Sequence, residues 1–199
     1  MNPATHLLIG WSIANICNIN RRERALVTMA GVIPDIDGAG IFIDVITSDQ
    51  YPSLYVKYHH ILGHNIGFGL SLCLAALLFF RRRIATTFLV FLSFHIHLLG
   101  DLAGSMGPDG YQWPIPYLLP FSDAWQLVWA GQWELIAWPN FAITFVAGFL
   151  MFYIAWSRGI TPLEMFSVKA NNAFVSTLRN RFGDPVKKEK SRILKSVEP

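Results

Sequence analysis

The sequence predicts an all-α fold: a multi-pass membrane helical bundle with a metal site at one membrane face. Three observations carry this reading. The composition is 53% hydrophobic and only 15% charged, with a mean hydropathy of +0.38, which suits a chain that meets lipid. Residues 61–80, 84–100 and 140–156 each run without a single Asp, Glu, Lys or Arg. Histidines and aspartates collect where these apolar runs begin or end, at "PDID", "HHILGHN" and "HIHLLGD".

In chain order, residues 6–19 form an apolar stretch closed by "NRRER", and "ALVTMAGVI" follows it up to "PDIDG". At about 1.5 Å per residue neither comfortably crosses a hydrocarbon core of about 30 Å, so a short helical hairpin within the bundle is expected. Residues 44–57 are polar, contain Pro52 and read as a loop. Residues 61–80 are the best spanning segment, residues 84–100 the next and residues 140–156 the last. The connection over residues 101–139 is rich in Gly, Pro and Trp. Within it Trp125, Trp129 and Trp133 recur every four residues, which predicts a short helix lying on the membrane surface, where indole is favoured. "TPLE" at Thr161 has the form of a capping box with proline at the first helical position. Leu163, Phe166, Ala170, Phe174, Leu178 and Phe182 then continue at helical spacing. The expected organisation is a membrane-embedded metal-site domain over 1–158, an amphipathic surface helix over 159–182 and a disordered basic tail over 183–199.

The formal charge of +3 is unevenly placed. Arg21, Arg22 and Arg24 follow the first segment, Arg81, Arg82 and Arg83 follow the first clear span, and five Lys or Arg between Lys187 and Lys195 crowd the tail, whereas residues 101–139 carry no Lys or Arg. Such blocks mark the cytoplasmic flanks of an inner-membrane protein, with the long connection outside. No basic stripe interleaved with aromatics argues for nucleic acid. The two cysteines, Cys17 and Cys73, stand alone in apolar stretches and set up neither a disulfide framework nor a thiolate site. "MNPATHLLIG" has no basic residue ahead of its apolar run, so no secretory signal is expected.

With that orientation four segments bring ionisable residues to the outer side. His6 opens the first segment, Asp35 and Asp37 end the second, His59, His60 and His64 open the first clear span, and His97 and Asp101 close the next. His97 and Asp101 are four apart and share a helix face, good spacing for two ligands on one ion. His60 and His64 are also four apart, but His59 fits equally well if the helix begins after it. His95 points elsewhere and reads as structural. Asp35 and Asp37 also suit a turn in which carboxylates cap backbone amides. Ionisable residues at bilayer depth are costly and are functional by default. Histidines and carboxylates without cysteine suit Zn²⁺ or a similar divalent ion, as one ion or as two bridged by an Asp.

"GVIPDIDG", "HHILGHN", "HIHLLGD" and "LLPFSD" occur in an order that resembles the YdjM-type family of membrane-bound metal-dependent hydrolases. The resemblance covers roughly residues 5–122. It implicates His6, Asp35, Asp37, His59, His64, His97 and Asp101 as metal ligands. His60 stands where the family pattern carries an arginine, and Gly63 precedes His64 where the pattern has Thr-His. At that position His60 is either a substrate contact in the arginine's stead or itself a ligand, and a carboxylate not fully committed to metal, Asp35 or Asp37, is the candidate proton acceptor. The order of the motifs is also similar to that of zinc-dependent phospholipase C. Together these imply a membrane-bound hydrolase of phosphoesters such as a lipid headgroup, with zinc as the expected metal and membrane lipid as partner. The competing class is a non-enzymatic metal-binding membrane protein: a sensor, a scaffold or a transporter.

Overall fold

A computed structural model describes residues 1–47, 53–107 and 110–185. The basic tail lies outside the described residues from 186 onward. The elements run α1 (Pro3–Ala14), α2 (Arg21–Ala30), a 3-10 segment (Ile33–Ala39), α3 (Gly40–Thr47), α4 (Leu54–Tyr58), α5 (Ile66–Phe79), α6 (Arg83–Gly104), α7 (Trp138–Arg158), a second 3-10 turn (Pro162–Met165) and α8 (Val168–Phe182). Among the described residues the fold is all-helical, and the only β pairings are isolated bridges, Ile115 with Leu127 and Met106 with Glu134. The chain divides into two compact units, the first Met1–Phe145 and the second beginning at Val146.

α6 and α7 are long and apolar enough to cross a membrane. The 22 residues of α6 rise about 33 Å, against about 30 Å of hydrocarbon. A third span arises only if α2 and residues 33–46 count together, because they meet at a bend of 49°. α5 is shorter than the sequence suggests. It begins at Ile66, where Asn65 caps the helix by accepting from Phe68 N at 2.9 Å, so residues 59–65 form turns and not the first turns of a span.

The first unit is held by α1 packed on α2 and α6, with α5 against α6. Its core joins Ile13, Ala14, Val27, Ala30, Ala76, Leu89 and Val90. α1 and α2 approach closely at Gly10, where a Cβ would lie 2.8 Å from the Thr28 carbonyl oxygen. Glu23 is fully buried and closes a capping box at the start of α2: Asn20 N donates to its Oε2 at 2.8 Å, while Arg82 N donates to its Oε1 at 2.9 Å. One carboxylate thus ties the start of α2 to the turn between α5 and α6.

Three local expectations are corrected. Residues 44–57 are not a simple loop, since α3 runs through Thr47 and α4 begins at Leu54; residues 48–52 lie outside the described residues. Asp44, within α3, caps α4 by accepting from Leu54 N at 2.8 Å and Tyr55 N at 2.9 Å. No helix forms through Trp125, Trp129 and Trp133. That segment is held open by partners from elsewhere: Leu127 pairs with Ile115, and Trp133 N donates to Ala103 O at 2.9 Å. "TPLE" yields only a 3-10 turn, because Thr161 N donates to Asn171 Oδ1 at 2.7 Å and not to Glu164, and Ser167 then caps α8 separately. In the second unit Arg179 donates to the carbonyls of Trp156 and Ser157 and so satisfies the end of α7.

Glu23→Ala removes the buried acceptor for two backbone donors, Asn20 N and Arg82 N. It should lower stability by about 1–3 kcal/mol, read as a drop in the melting temperature of the detergent-purified protein. An unchanged melting temperature would show that water reaches those amides.

Candidate metal centre

Four structural devices deliver the side chains. Asn2 caps α1 by accepting from Thr5 N at 2.9 Å, and Pro3 opens the helix, which sets His6 in its first turn. The bend after α2 places Asp35 and Asp37 on a 3-10 segment. The turns at residues 59–65 carry His59, His60 and His64. The last turns of α6 present His97 and Asp101 on one face. Gly63 lets the histidine turns lie against the bend: a Cβ there would sit 2.5 Å from the Pro34 carbonyl oxygen and 2.7 Å from its Cα, and backbone cannot yield cheaply.

Asp101, 1% exposed, is the hub. Its Oδ1 lies 3.0 Å from His6 Nε2 and also meets the Met1 ammonium. Its Oδ2 lies 3.0 Å from His97 Nε2, 3.2 Å from His64 Nε2 and 3.9 Å from His60 Nε2. Asp35 approaches from the bend, with Oδ1 3.8 Å from His97 Nε2. Two sets of donors emerge, each within 4.8 Å: His6, Asp35, His97 and Asp101 in one, His60, His64 and Asp101 in the other. Asp101 belongs to both: its Oδ1 faces His6, while its Oδ2 is shared between His97 of the first set and His64 and His60 of the second.

A layer behind these donors fixes their orientation. The His97 Nδ1–H donates to Gly31 O at 3.0 Å, which leaves Nε2 as the lone-pair nitrogen facing Asp101. His64 Nδ1 pairs with Asp37 Oδ2 at 2.9 Å, which aims its Nε2 at Asp101 and, at 3.0 Å, at His97 Nε2. Asp37 Oδ1 takes His59 Nδ1 at 3.2 Å, and Oδ2 also accepts from Gly63 N at 3.2 Å. Gln132 Nε2 donates to the Asp101 carbonyl at 2.9 Å and to Ser105 Oγ at 3.1 Å.

The cluster is chemically suited to a cation. Asp35 Oδ2 and His60 Nδ1 are buried and have no hydrogen-bond partner, a state native structures rarely tolerate. His60 holds φ of 64°, a left-handed conformation that non-glycine residues adopt at a cost and that gathers at functional sites. Imidazole and carboxylate donors without thiolate fit Zn²⁺ or a comparable borderline ion. Burial, then the neighbouring His64 cation, holds His60 well below the usual imidazole range. Burial also pulls His64 toward neutrality, but its hydrogen bonds to Asp101 and Asp37 prevail and push it up to about 9.

Of the residues singled out by sequence, His6, Asp35, His64, His97 and Asp101 come together in the two donor sets. Asp37 and His59 do not enter either set. Asp37 stands behind His64, and His59 binds Asp37 while stacking on Tyr55 at 4.5 Å and meeting Trp113 edge-on at 5.0 Å. His60 takes the inward place that the resemblance assigns to His59. Its partner at i+4, His64, gave the only sequence signal for this. Gln132 went unnoticed, since a glutamine in an irregular Trp-rich segment carries no pattern. His95 is structural as expected, with Nδ1 on Phe91 O at 2.8 Å and Nε2 on Tyr117 Oη at 2.9 Å.

Two outcomes test this geometry. His60→Ala should lose bound metal and His59→Ala should keep it, while Asp37→Asn should weaken zinc binding by about 10–100-fold by freeing His64 to turn. Elemental analysis of the purified variants measures all three, and the reverse pattern for the two histidines would restore His59 as the ligand. The second outcome concerns pH. A folded-state value of about 9 for His64 lies above the ordinary value near ~6.5. The protonated ring therefore stabilises the metal-free chain fully below about pH 6.5, and that contribution is lost as pH rises through about 9. Zinc must displace this proton, so its apparent affinity should climb by up to about tenfold per pH unit across that window. Calorimetry in buffers of different ionisation enthalpy reads the released proton; a pH-independent affinity would remove His64 from the ligand set.

Neither the curated proteins nor the solved structures contain a match to this chain. Residues 1–178 match the profile of the YdjM inner membrane protein family, which covers α1 through most of α8 and every residue of the cluster. A membrane protein with apolar spanning helices and a buried His/Asp cluster able to hold metal, the chain belongs to the YdjM inner membrane protein family.

Proposed function

We propose that the protein is a membrane-bound, zinc-dependent hydrolase of phosphoesters. The observation that carries this is the pair of donor sets sharing Asp101, set beside a cavity of about 450 Å³ that Asp35, His60 and Asp101 all line. His6, Asp35, His97 and Asp101 would hold one ion, and His60, His64 and Asp101 a second. Bound zinc supplies a water acidified to a pKa of ~7 and a Lewis acid for a phosphoryl oxygen. The chain's own residues do the rest. Asp37 has both oxygens engaged by His59, His64 and Gly63, so it orients and does not accept a proton. Asp35 Oδ2, with no partner, is the oxygen free to take one. Burial of the cluster excludes bulk water and strengthens each electrostatic contact within it.

We place the centre on the non-cytoplasmic face of the inner membrane, with the arginine blocks and basic tail toward the cytoplasm, because residues 101–139 carry no Lys or Arg. No nucleic-acid partner is proposed.

Zinc-loaded protein in detergent should release phosphate or a phosphorylated headgroup from at least one member of a panel of phospholipids, isoprenoid phosphates and soluble phosphoesters. Asp35→Asn and Asp101→Asn should each lower turnover at least about a hundredfold. Loaded wild-type protein that releases nothing from the whole panel would sink the hydrolase, and a metal-binding sensor or scaffold would take its place.

A further inference from the structure

The cavity beside the cluster is built of two chemistries. Its buried and half-buried wall carries the polar groups already described. Every lining residue that is exposed at the surface is apolar: Pro3, Ile36, Ala39, Phe42 and Leu135. Three of these form one row. Ile36 and Ala39 are three apart on the 3-10 segment, where side chains at that spacing eclipse, and Phe42 continues the row into α3. Ile36 and Phe42 are 70% and 71% exposed, although Ile36 stands between Asp35 and the buried Asp37. The same bent segment forms the second arm of the third candidate span, and Ile43, Val45 and Ile46 beyond it are also exposed. The mouth of the cavity therefore presents an apolar rim, with the polar cluster directly behind it.

We propose that the substrate is an amphiphile that enters from the bilayer, with its phosphoester at the His/Asp cluster and the adjoining hydrocarbon chain along Ile36, Ala39 and Phe42. The phosphoester part of this assignment rests on the hydrolase reading; the route from lipid rests on the cavity alone. A soluble phosphoester would have to cross an apolar rim that offers its charge no partner. A chain-bearing phosphate leaves its tail in an environment as apolar as the one it came from, and only the head is transferred to the cationic centre. A diacyl phospholipid and an isoprenoid phosphate share this chemistry.

The test uses the full-length, zinc-loaded protein in nanodiscs and a hexadecyl phosphate carrying a diazirine in its chain. Photolysis should label peptides containing residues 36–42 in preference to the exposed faces of α6 and α7. Excess phosphatidic acid or farnesyl phosphate should displace the label, and whichever does so identifies the diacyl or the isoprenoid source; inorganic phosphate should not. Ala39→Trp, which fills the slot without touching the cluster, should cut this labelling at least tenfold with metal content unchanged. Leu135→Trp tests a second lining position should the first variant fold poorly, with metal content as the check on folding. Label spread over all lipid-facing helices, displacement by inorganic phosphate as well as by the chain-bearing competitors, or indifference to both Trp variants would overturn the proposal. Specific, displaceable label in a protein that hydrolyses nothing would sink the hydrolase reading alone. Turnover of a soluble phosphoester, unaffected by either Trp variant and without specific label, would sink the amphiphile alone.

Discussion

The Asp101 carboxylate has almost no contact with water, and the rest of the structure is arranged around that fact. An ionised carboxylate withdrawn from water costs several kcal/mol unless charge and hydrogen bonds compensate it. Compensation comes from His6 on α1, His64 in the turns before α5 and the Met1 ammonium. Each partner is thus bound to a particular place in the bundle. The apolar contacts among α1, α2, α5 and α6 then have a second consequence besides their own burial: they hold a charged cluster together in a dry site.

The supporting layer explains why the cluster has the shape it does. The bend between α2 and the 3-10 segment supplies the Gly31 carbonyl that orients His97, and then, within a few residues, Asp35 at the cluster and Asp37 behind His64. A straight helix could not do this, since its carbonyls would be committed to its own ladder. The same bend turns Ile36 outward. Polar donors and an exposed apolar side chain are interleaved within three residues, Asp35, Ile36 and Asp37, because a 3-10 segment presents three faces in three positions. Gly63 matters for a related reason: the backbone of the histidine turns and that of the bend are in contact, and any side chain there would push the two halves of the cluster apart.

Residues with no ionisable chemistry set the boundary of the site. Gln132, from the irregular segment between α6 and α7, holds the Asp101 carbonyl and Ser105. Asn140, buried at the start of α7, holds the Gly104 carbonyl at 2.9 Å and receives the Trp133 indole at 3.0 Å. The end of α6 is therefore clamped by side chains from the segment that follows it, which keeps Asp101 in register despite the end of the helical ladder.

The amino-acid sequence by itself determined the class of the fold, because hydropathy along the chain is a local property and the uncharged runs that became α5, α6 and α7 can be read without knowing their neighbours. It also determined most of the cluster. The motifs at the ends of the apolar runs hold the residues that meet at the cluster, and the i, i+4 spacing of His97 and Asp101 needs only a helix. Tertiary structure alone decided which donors face inward. His59, His60 and His64 are adjacent in sequence, and their directions depend on turns stabilised by Asp37 and by contact with Pro34, from a segment more than twenty residues away. Tertiary structure also decided that Trp125, Trp129 and Trp133 form no helix. Their helical spacing is real, but long-range partners, Ile115 for Leu127 and Ala103 for Trp133, claim the backbone groups that a local helix would have used.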